Sequence, residues 1–224
     1  QQPDGAFDYW PGGFNAGFNE REAWSTNYVG HFIVEAKNLG FQLPPTMLTD
    51  WVRFQKAAAQ AWSNGEASAT LNQAYRLYTL ALASQPELGA MNRLREITNL
   101  PTAARWMLAA AYQLAGQKEV ANQLAKGDPL NLSHYTQPDA TFGSHLRDAA
   151  IVLNSLVILN QLDHAKPLVD EISSQLASDN WNSTQSLSYS LMAMAKFAGS
   201  SSKADYSFER TVIGKSERVK SSSP

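Results

Sequence analysis

Apolar residues recur along most of this chain at the spacing of one helix face. From Trp24 to Leu39 they include Tyr28, Phe32, Ala36 and Leu39, an i, i+4, i+8, i+11 stripe that stops at Gly40. Pro44-Pro45 open a second helix, which carries Leu48, Trp51, Val52, Phe54, Ala58 and Trp62 and ends before Asn64-Gly65. Leu71–Ala83 forms a third, with Tyr75, Tyr78 and Leu82 on one side, and Glu87–Ile97 a short fourth. Pro101 starts a fifth, stopped by Gly116, and Lys118–Ala125 is a sixth. A long loop from Gly127 to Gly143 precedes Ser144–Asn160, which is apolar on most sides and therefore reads as interior. Asp163–Ala177 pairs with it. Ser183–Ala198 is the last helix, with Ser183 as its N-cap.

The two ends of the chain break this period. The first 23 residues concentrate glycines and rings (Gly5, Phe7, Tyr9, Trp10, Gly12, Gly13, Phe14, Phe18) and predict a turn-rich loop with buried aromatics. Beyond a polar linker at Gly199–Lys203, Tyr206, Phe208, Val212 and Ile213 predict one or two short strands. The helices between come as hairpins with short turns. Helix pairs of this kind build either an open superhelix or a closed ring, the α/α toroid. Arg105-Trp106 with Ala109, Tyr112, Gly116 and Ala121 has the spacing of one tetratricopeptide-type pair, but no period near 34 residues repeats it. An internal echo points to the ring. Trp24-Ser25-Thr26 and Trp181-Asn182-Ser183-Thr184-Gln185 each put an aromatic in a turn and hydroxyls at a helix start, where they satisfy unpaired backbone N–H groups.

Composition narrows the function. The 224 residues carry a net charge of −2 at pH 7, with no basic stripe of the kind a nucleic-acid binder shows. No stretch reaches 18 apolar residues, so no membrane-spanning helix is expected. There is no cysteine, which excludes disulfides, zinc–thiolate sites and thiol nucleophiles within these residues. The chain starts at Gln1 without an initiator Met and reads as an excised piece of something larger.

Candidate chemistry is sparse. The four histidines, His31, His134, His145 and His164, form no metal-ligand spacing and read as structural or solvent-facing. Asp4, Asp8, Asp128, Asp139 and Asp148 read first as turn and cap residues. A pair of carboxylates in a funnel would also suit a glycosidase, with Phe7, Tyr9, Trp10 and Phe14 as a stacking platform. Arg147-Asp148 opens the Ser144 helix; Asp148 suits the helix dipole, and Arg147 either pairs with it, binds a loop carbonyl, or faces a neighbouring domain. No phosphate-binding glycine loop and no nucleophile elbow is present.

Several segments, in order, resemble the thioester-containing α/α-toroid domain of bacterial alpha-2-macroglobulin-like proteins. They are the stretch from Asp4-Gly5-Ala6-Phe7 to Pro11-Gly12-Gly13, then Trp24-Ser25-Thr26-Asn27-Tyr28-Val29-Gly30-His31-Phe32, Gln73-Ala74-Tyr75-Arg76-Leu77-Tyr78, Gly89-Ala90-Met91-Asn92-Arg93, Phe142-Gly143-Ser144-His145-Leu146-Arg147-Asp148 and Trp181-Asn182-Ser183-Thr184-Gln185. The resemblance implies an all-α fold, a partial α/α toroid over 1–199, followed at 200–224 by a linker and the start of an adjoining β-domain as a short β-strand tail. It implies a periplasmic or extracellular protease trap, with any membrane anchor carried by the parent protein. In such a trap a target protease cuts a bait segment, and an internal thioester then captures it. That bond needs a Cys-x-Glu-Gln motif, which this chain lacks, so the resemblance assigns it no catalytic residue, cofactor or metal. The partners it implies are target proteases, through the parent protein, and neighbouring β-sandwich domains, with no nucleic acid and no membrane contact by this segment. Tyr9, Trp10, Trp24 and Trp181 are the candidate funnel-rim residues. The alternatives are an α-helical-repeat scaffold that binds peptides and a toroid carbohydrate enzyme using Asp4 or Asp8.

Overall fold

The computed structural model describes residues 1–7, 20–63, 67–126, 129–134, 141, 143–201, 206–212 and 215–221. Among them run nine helices: α1 (Glu20–Asn38), α2 (Met47–Ala61), α3 (Ala67–Leu82), α4 (Leu88–Arg95), α5 (Thr102–Leu114), α6 (Lys118–Leu124), α7 (His145–Ile158), α8 (Lys166–Leu176) and α9 (Thr184–Ser201). A single 3-10 turn, Leu162–His164, leads into α8. Up to Ser201 the regular structure among the described residues is helical. Strands β1 (Tyr206–Val212) and β2 (Lys215–Ser221) follow, paired antiparallel with Tyr206 opposite Ser221 and Val212 opposite Lys215. Tyr9, Trp10 and Phe14 of the predicted aromatic loop lie outside the described residues.

Local chemistry sets the helix boundaries. Gly116 takes φ +78°, and Gln117 N–H reaches back to the Tyr112 carbonyl at 2.9 Å, closing α5 in a turn that glycine adopts without a Cβ clash. Ser144 caps α7 by accepting the Arg147 N–H at 3.1 Å, and Ser183 caps α9 by accepting the Ser186 N–H at 3.1 Å.

The helices sort into two layers. Each odd-numbered helix packs on the next: α1 on α3, α3 on α5, α5 on α7, α7 on α9. The even-numbered helices cover them from outside, α2 against α3 and α1, α6 against α5, and α8 against α7 and α9. The burial pattern matches this placement. Helix α7 is buried continuously from Leu146 to Leu156, whereas α2 buries only Trp51, Gln55 and Ala59, and α8 only Leu168 and Ile172. Alanines at Ala104, Ala109, Ala110, Ala111, Ala149 and Ala150 are fully buried and let the inner helices approach closely. Side chains also join the last inner helix to the first. Trp24 Nε1 donates to Gln185 Oε1 at 2.9 Å, the Tyr28 and Tyr189 rings lie 5.8 Å apart, and Lys196 pairs with Glu35. The five inner helices therefore surround a common centre.

Gly30 fixes how α2 sits on α1. A Cβ there would fall 2.0 Å from the Trp51 indole, which is held in place by its Nε1–H donating to the Thr26 carbonyl at 2.9 Å. Gly89 in α4 has open space around the same position. Gly30→Ala should destabilise the fold by about 1–3 kcal/mol, as overpacking of a tight interior does. Gly89→Ala should be neutral or gain up to about 1 kcal/mol. Chemical denaturation of both variants checks this; equal effects would show that Gly30 has no packing role.

Candidate functional site

Two polar constellations are built into the apolar interior. The first lies where the N-termini of α1, α7 and α9 meet. Trp24 is fully buried, and the Arg147 guanidinium stacks 4.4 Å from its ring centroid. Arg147 is itself fully buried and is held by charge and hydrogen bonds. Its Nε and Nη2 donate to Asp148 Oδ1 at 3.0 and 2.9 Å, and Nη1 donates to the Thr141 carbonyl at 2.9 Å. Both local readings of Arg147, a pair with Asp148 and a bond to a loop carbonyl, therefore occur together. Its complete burial leaves no guanidinium surface for a neighbouring domain. The Ser144 and Ser186 hydroxyls bond at 2.7 Å, and Ser183 reaches Ser186 at 3.0 Å, tying α7 to α9. Phe7 is pinned nearby: its N–H donates to Thr26 Oγ1 at 3.0 Å and its carbonyl accepts from Ser25 Oγ at 3.2 Å.

The second constellation occupies the centre of the helix ring. His31 Nδ1 lies 3.1 Å from the Tyr75 hydroxyl, and its Nε2 lies 3.4 Å from Glu35 Oε1. Lys196 of α9 completes the row on Glu35. Asn154 of α7 donates to the Tyr78 hydroxyl at 3.0 Å, and the Tyr189 ring packs against His31, Tyr28 and Tyr75. Burial pushes the His31 pKa down, so the imidazole stays neutral. Burial alone would raise that of Glu35, but hydrogen bonds from His31 and Lys196 outweigh it and bring the carboxyl to about 2. Burial raises the three central phenols, Tyr75, Tyr78 and Tyr189, so each stays protonated. A neutral imidazole, a paired carboxylate and protonated phenols form a hydrogen-bonded network, largely buried, with Glu35 and Lys196 at its partly exposed edge.

A third buried charge lies between α2 and α3. Arg76 bonds Gln55 Oε1 at 2.9 Å and Gln73 Oε1 at 2.6 Å, and burial lowers its pKa to about 10. Gln55 also donates to Asn27 Oδ1 at 2.7 Å, so the amides chain α1, α2 and α3 together.

The sequence-derived candidates scatter across the molecule. Trp24 is buried under Arg147, while Trp181 stands 79% exposed in the turn before α9. Tyr9 and Trp10 lie outside the described residues, as do Asp8, Asp128 and Asp139. Asp4 accepts the Ala6 N–H at 3.0 Å, a local turn bond. His145 stacks on His134 at 3.8 Å and pairs with Glu171. Sequence reasoning missed Glu35, Lys196 and Asn154. The available signal was a polar residue in an otherwise apolar stripe, as His31 is between Tyr28 and Phe32.

The central row makes stability depend on pH. The unfolded chain protonates His31 below about pH 6.5 and Glu35 below about 4.5, while the folded chain resists both. Stability should therefore fall on acidification, first through His31 and then through Glu35, with a slope of at most about 1.4 kcal/mol per pH unit for each group. Urea denaturation from pH 7 to pH 3 should show the decline, and Glu35→Gln should flatten its part below about pH 4.5. A Glu35→Gln profile parallel to the parent's would exclude the carboxyl as a contributor.

No protein-family model matches this sequence, and no curated protein matches it. Solved structures do. A native Escherichia coli alpha-2-macroglobulin spanning domain MG7 to the C-terminus superposes over 100% of this chain and 36% of its own, with TM-score 0.73 and 21% identity. A Salmonella alpha-2-macroglobulin reacted with methylamine matches over 99% of this chain and 15% of its own, with TM-score 0.73 and 22% identity. A trypsin-activated E. coli alpha-2-macroglobulin matches over 99% and 15%, with TM-score 0.69 and 21% identity. The chain thus spans about 15% of the longer molecules, and it has the fold of a segment of the bacterial alpha-2-macroglobulins.

Proposed function

We propose that this chain is a non-catalytic segment of a bacterial alpha-2-macroglobulin-like endopeptidase inhibitor. Residues 1–199 form a partial α/α toroid, and residues 200–224 a linker and the start of an adjoining β-domain. The observation that carries this reading is the superposition over 99–100% of the chain, strand hairpin included, on one segment of those molecules. The side-chain contacts from α9 back to α1 support a ring over an open peptide-binding superhelix. The local turn role of Asp4 gives a carbohydrate-enzyme reading no support.

With no cysteine, these residues cannot supply the thiol half of a thioester. Their contribution is a rigid body. The buried Trp24–Arg147 stack and the serine knot hold the ends of three inner helices at fixed spacing, so that a reactive group carried elsewhere in the parent stays positioned and dry. Trp181, exposed beside this knot, is the rim candidate, and Trp24 supports the rim from beneath. The partners are target proteases, met through the parent protein, and the parent's neighbouring β-sandwich domains. The setting is periplasmic or extracellular.

The test uses the whole parent protein. Incubated with trypsin, it should leave activity on a small peptide substrate while activity on casein falls, because the caged protease excludes large substrates. The sequence before Gln1 should also contain Cys-x-Glu-Gln if capture is covalent. Full casein activity after the parent has been cleaved would overturn the proposal.

A further inference from the structure

We propose that one water molecule is bound at the centre of the helix ring, held by Asn154 and Tyr189 as a built-in bridge between α7 and α9. This site is independent of the functional reading above. A cavity of about 10 Å³ lies there, lined on its polar side by His31, Tyr75, Tyr78, Asn154, Ser155 and Tyr189. All five inner helices contribute to its wall, with Met107 of α5 and Ile151 of α7 closing the apolar side.

Three side-chain atoms of these wall residues have no hydrogen-bond partner: His31 Nε2, which lies 3.4 Å from Glu35 Oε1, and two that belong to Asn154 and Tyr189. Asn154 spends its amide N–H on the Tyr78 hydroxyl, which leaves Oδ1 an unused acceptor; the Tyr189 hydroxyl lies beside that of Tyr75 but makes no bond of full hydrogen-bond geometry. Both residues are more than nine-tenths buried, at 5% and 3% exposure. Buried polar groups in native proteins find partners. A water site needs about 10–15 Å³ and two or more polar contacts, and this cavity offers both. The water would donate to Asn154 Oδ1 and accept the Tyr189 O–H, with the neighbouring Tyr75 hydroxyl as a third contact. The volume excludes any larger ligand. Tyr189 and His31 also line a groove of about 180 Å³ that opens on the surface between α1 and α9. Their rings therefore stand between the water and bulk solvent, and exchange requires one of them to move.

A crystal structure of the 224-residue chain, at a resolution that shows ordered solvent, tests this. Density should appear within about 2.6–3.2 Å of both Asn154 Oδ1 and the Tyr189 hydroxyl. Tyr189→Phe should keep the water on Asn154, and Asn154→Leu should expel it. Should Asn154→Leu fail to fold, the parent and Tyr189→Phe structures still decide the matter. A dry cavity, a direct bond from either atom to another protein group, or a water retained in Asn154→Leu would overturn the assignment.

Discussion

The structure depends on a seam. Inner helices α3, α5 and α7 each pack on an inner neighbour to either side, but α9 meets α1 chiefly through long side chains. The Trp24–Gln185 hydrogen bond, the Tyr28–Tyr189 contact and the Glu35–Lys196 pair make this junction. All three join residues 161 positions apart in the chain. Without them the same hairpins would satisfy their local packing in an open spiral. Closing the seam brings α1 and α9 to the same centre and creates both the sealed polar core and the surface groove lined by Tyr28, Phe32 and Met192.

The interior is more polar than stability alone would favour. Arg147, Arg76 and His31 are each buried, and each would be costly if a partner were lost. They sit at junctions, with Arg147 linking the α7 start to α1, Arg76 linking α3 to α2, and His31 linking α1 to α3. A purely apolar face slides easily over another, whereas a guanidinium with two N–H groups on Asp148 Oδ1, stacked on an indole, admits few registers. The polar junctions thus account for a single helix arrangement in a chain whose alanine-rich surfaces would tolerate several. Such rigidity suits the scaffold role proposed above.

Much of this was legible in the sequence because it rests on local rules. The 3.6-residue stripe located the helices, Gly40 and Gly116 stopped α1 and α5, Ser183 capped α9, and the stretch Ile151–Leu159, apolar on most sides, marked α7 as interior. The change of period after Lys203 coincides with the β1–β2 hairpin. The site was harder to read. Nothing in the spacing of Trp24 and Gln185 says that they touch, and a Lys near the end of α9 reads as a solvated face until Glu35 is brought beside it. Trp24 and Trp181 looked equivalent because Ser-Thr follows each closely, but Trp24-Ser25-Thr26 lies within α1 with its hydroxyls on the Phe7 backbone, whereas Ser183 caps α9. They part company in space because Arg147 covers the first and no residue covers the second to a comparable degree, leaving it exposed.

The seam is therefore the place to measure. The chain has no cysteine, so Phe32→Cys and Ser188→Cys, both exposed on the groove between α1 and α9, give a clean pair of spin-label sites. A closed ring predicts one narrow population of short distances between the labels in pulsed electron paramagnetic resonance. A broad or long distribution in the folded chain would mean that α9 does not return to α1, and the account built on their junction would be wrong.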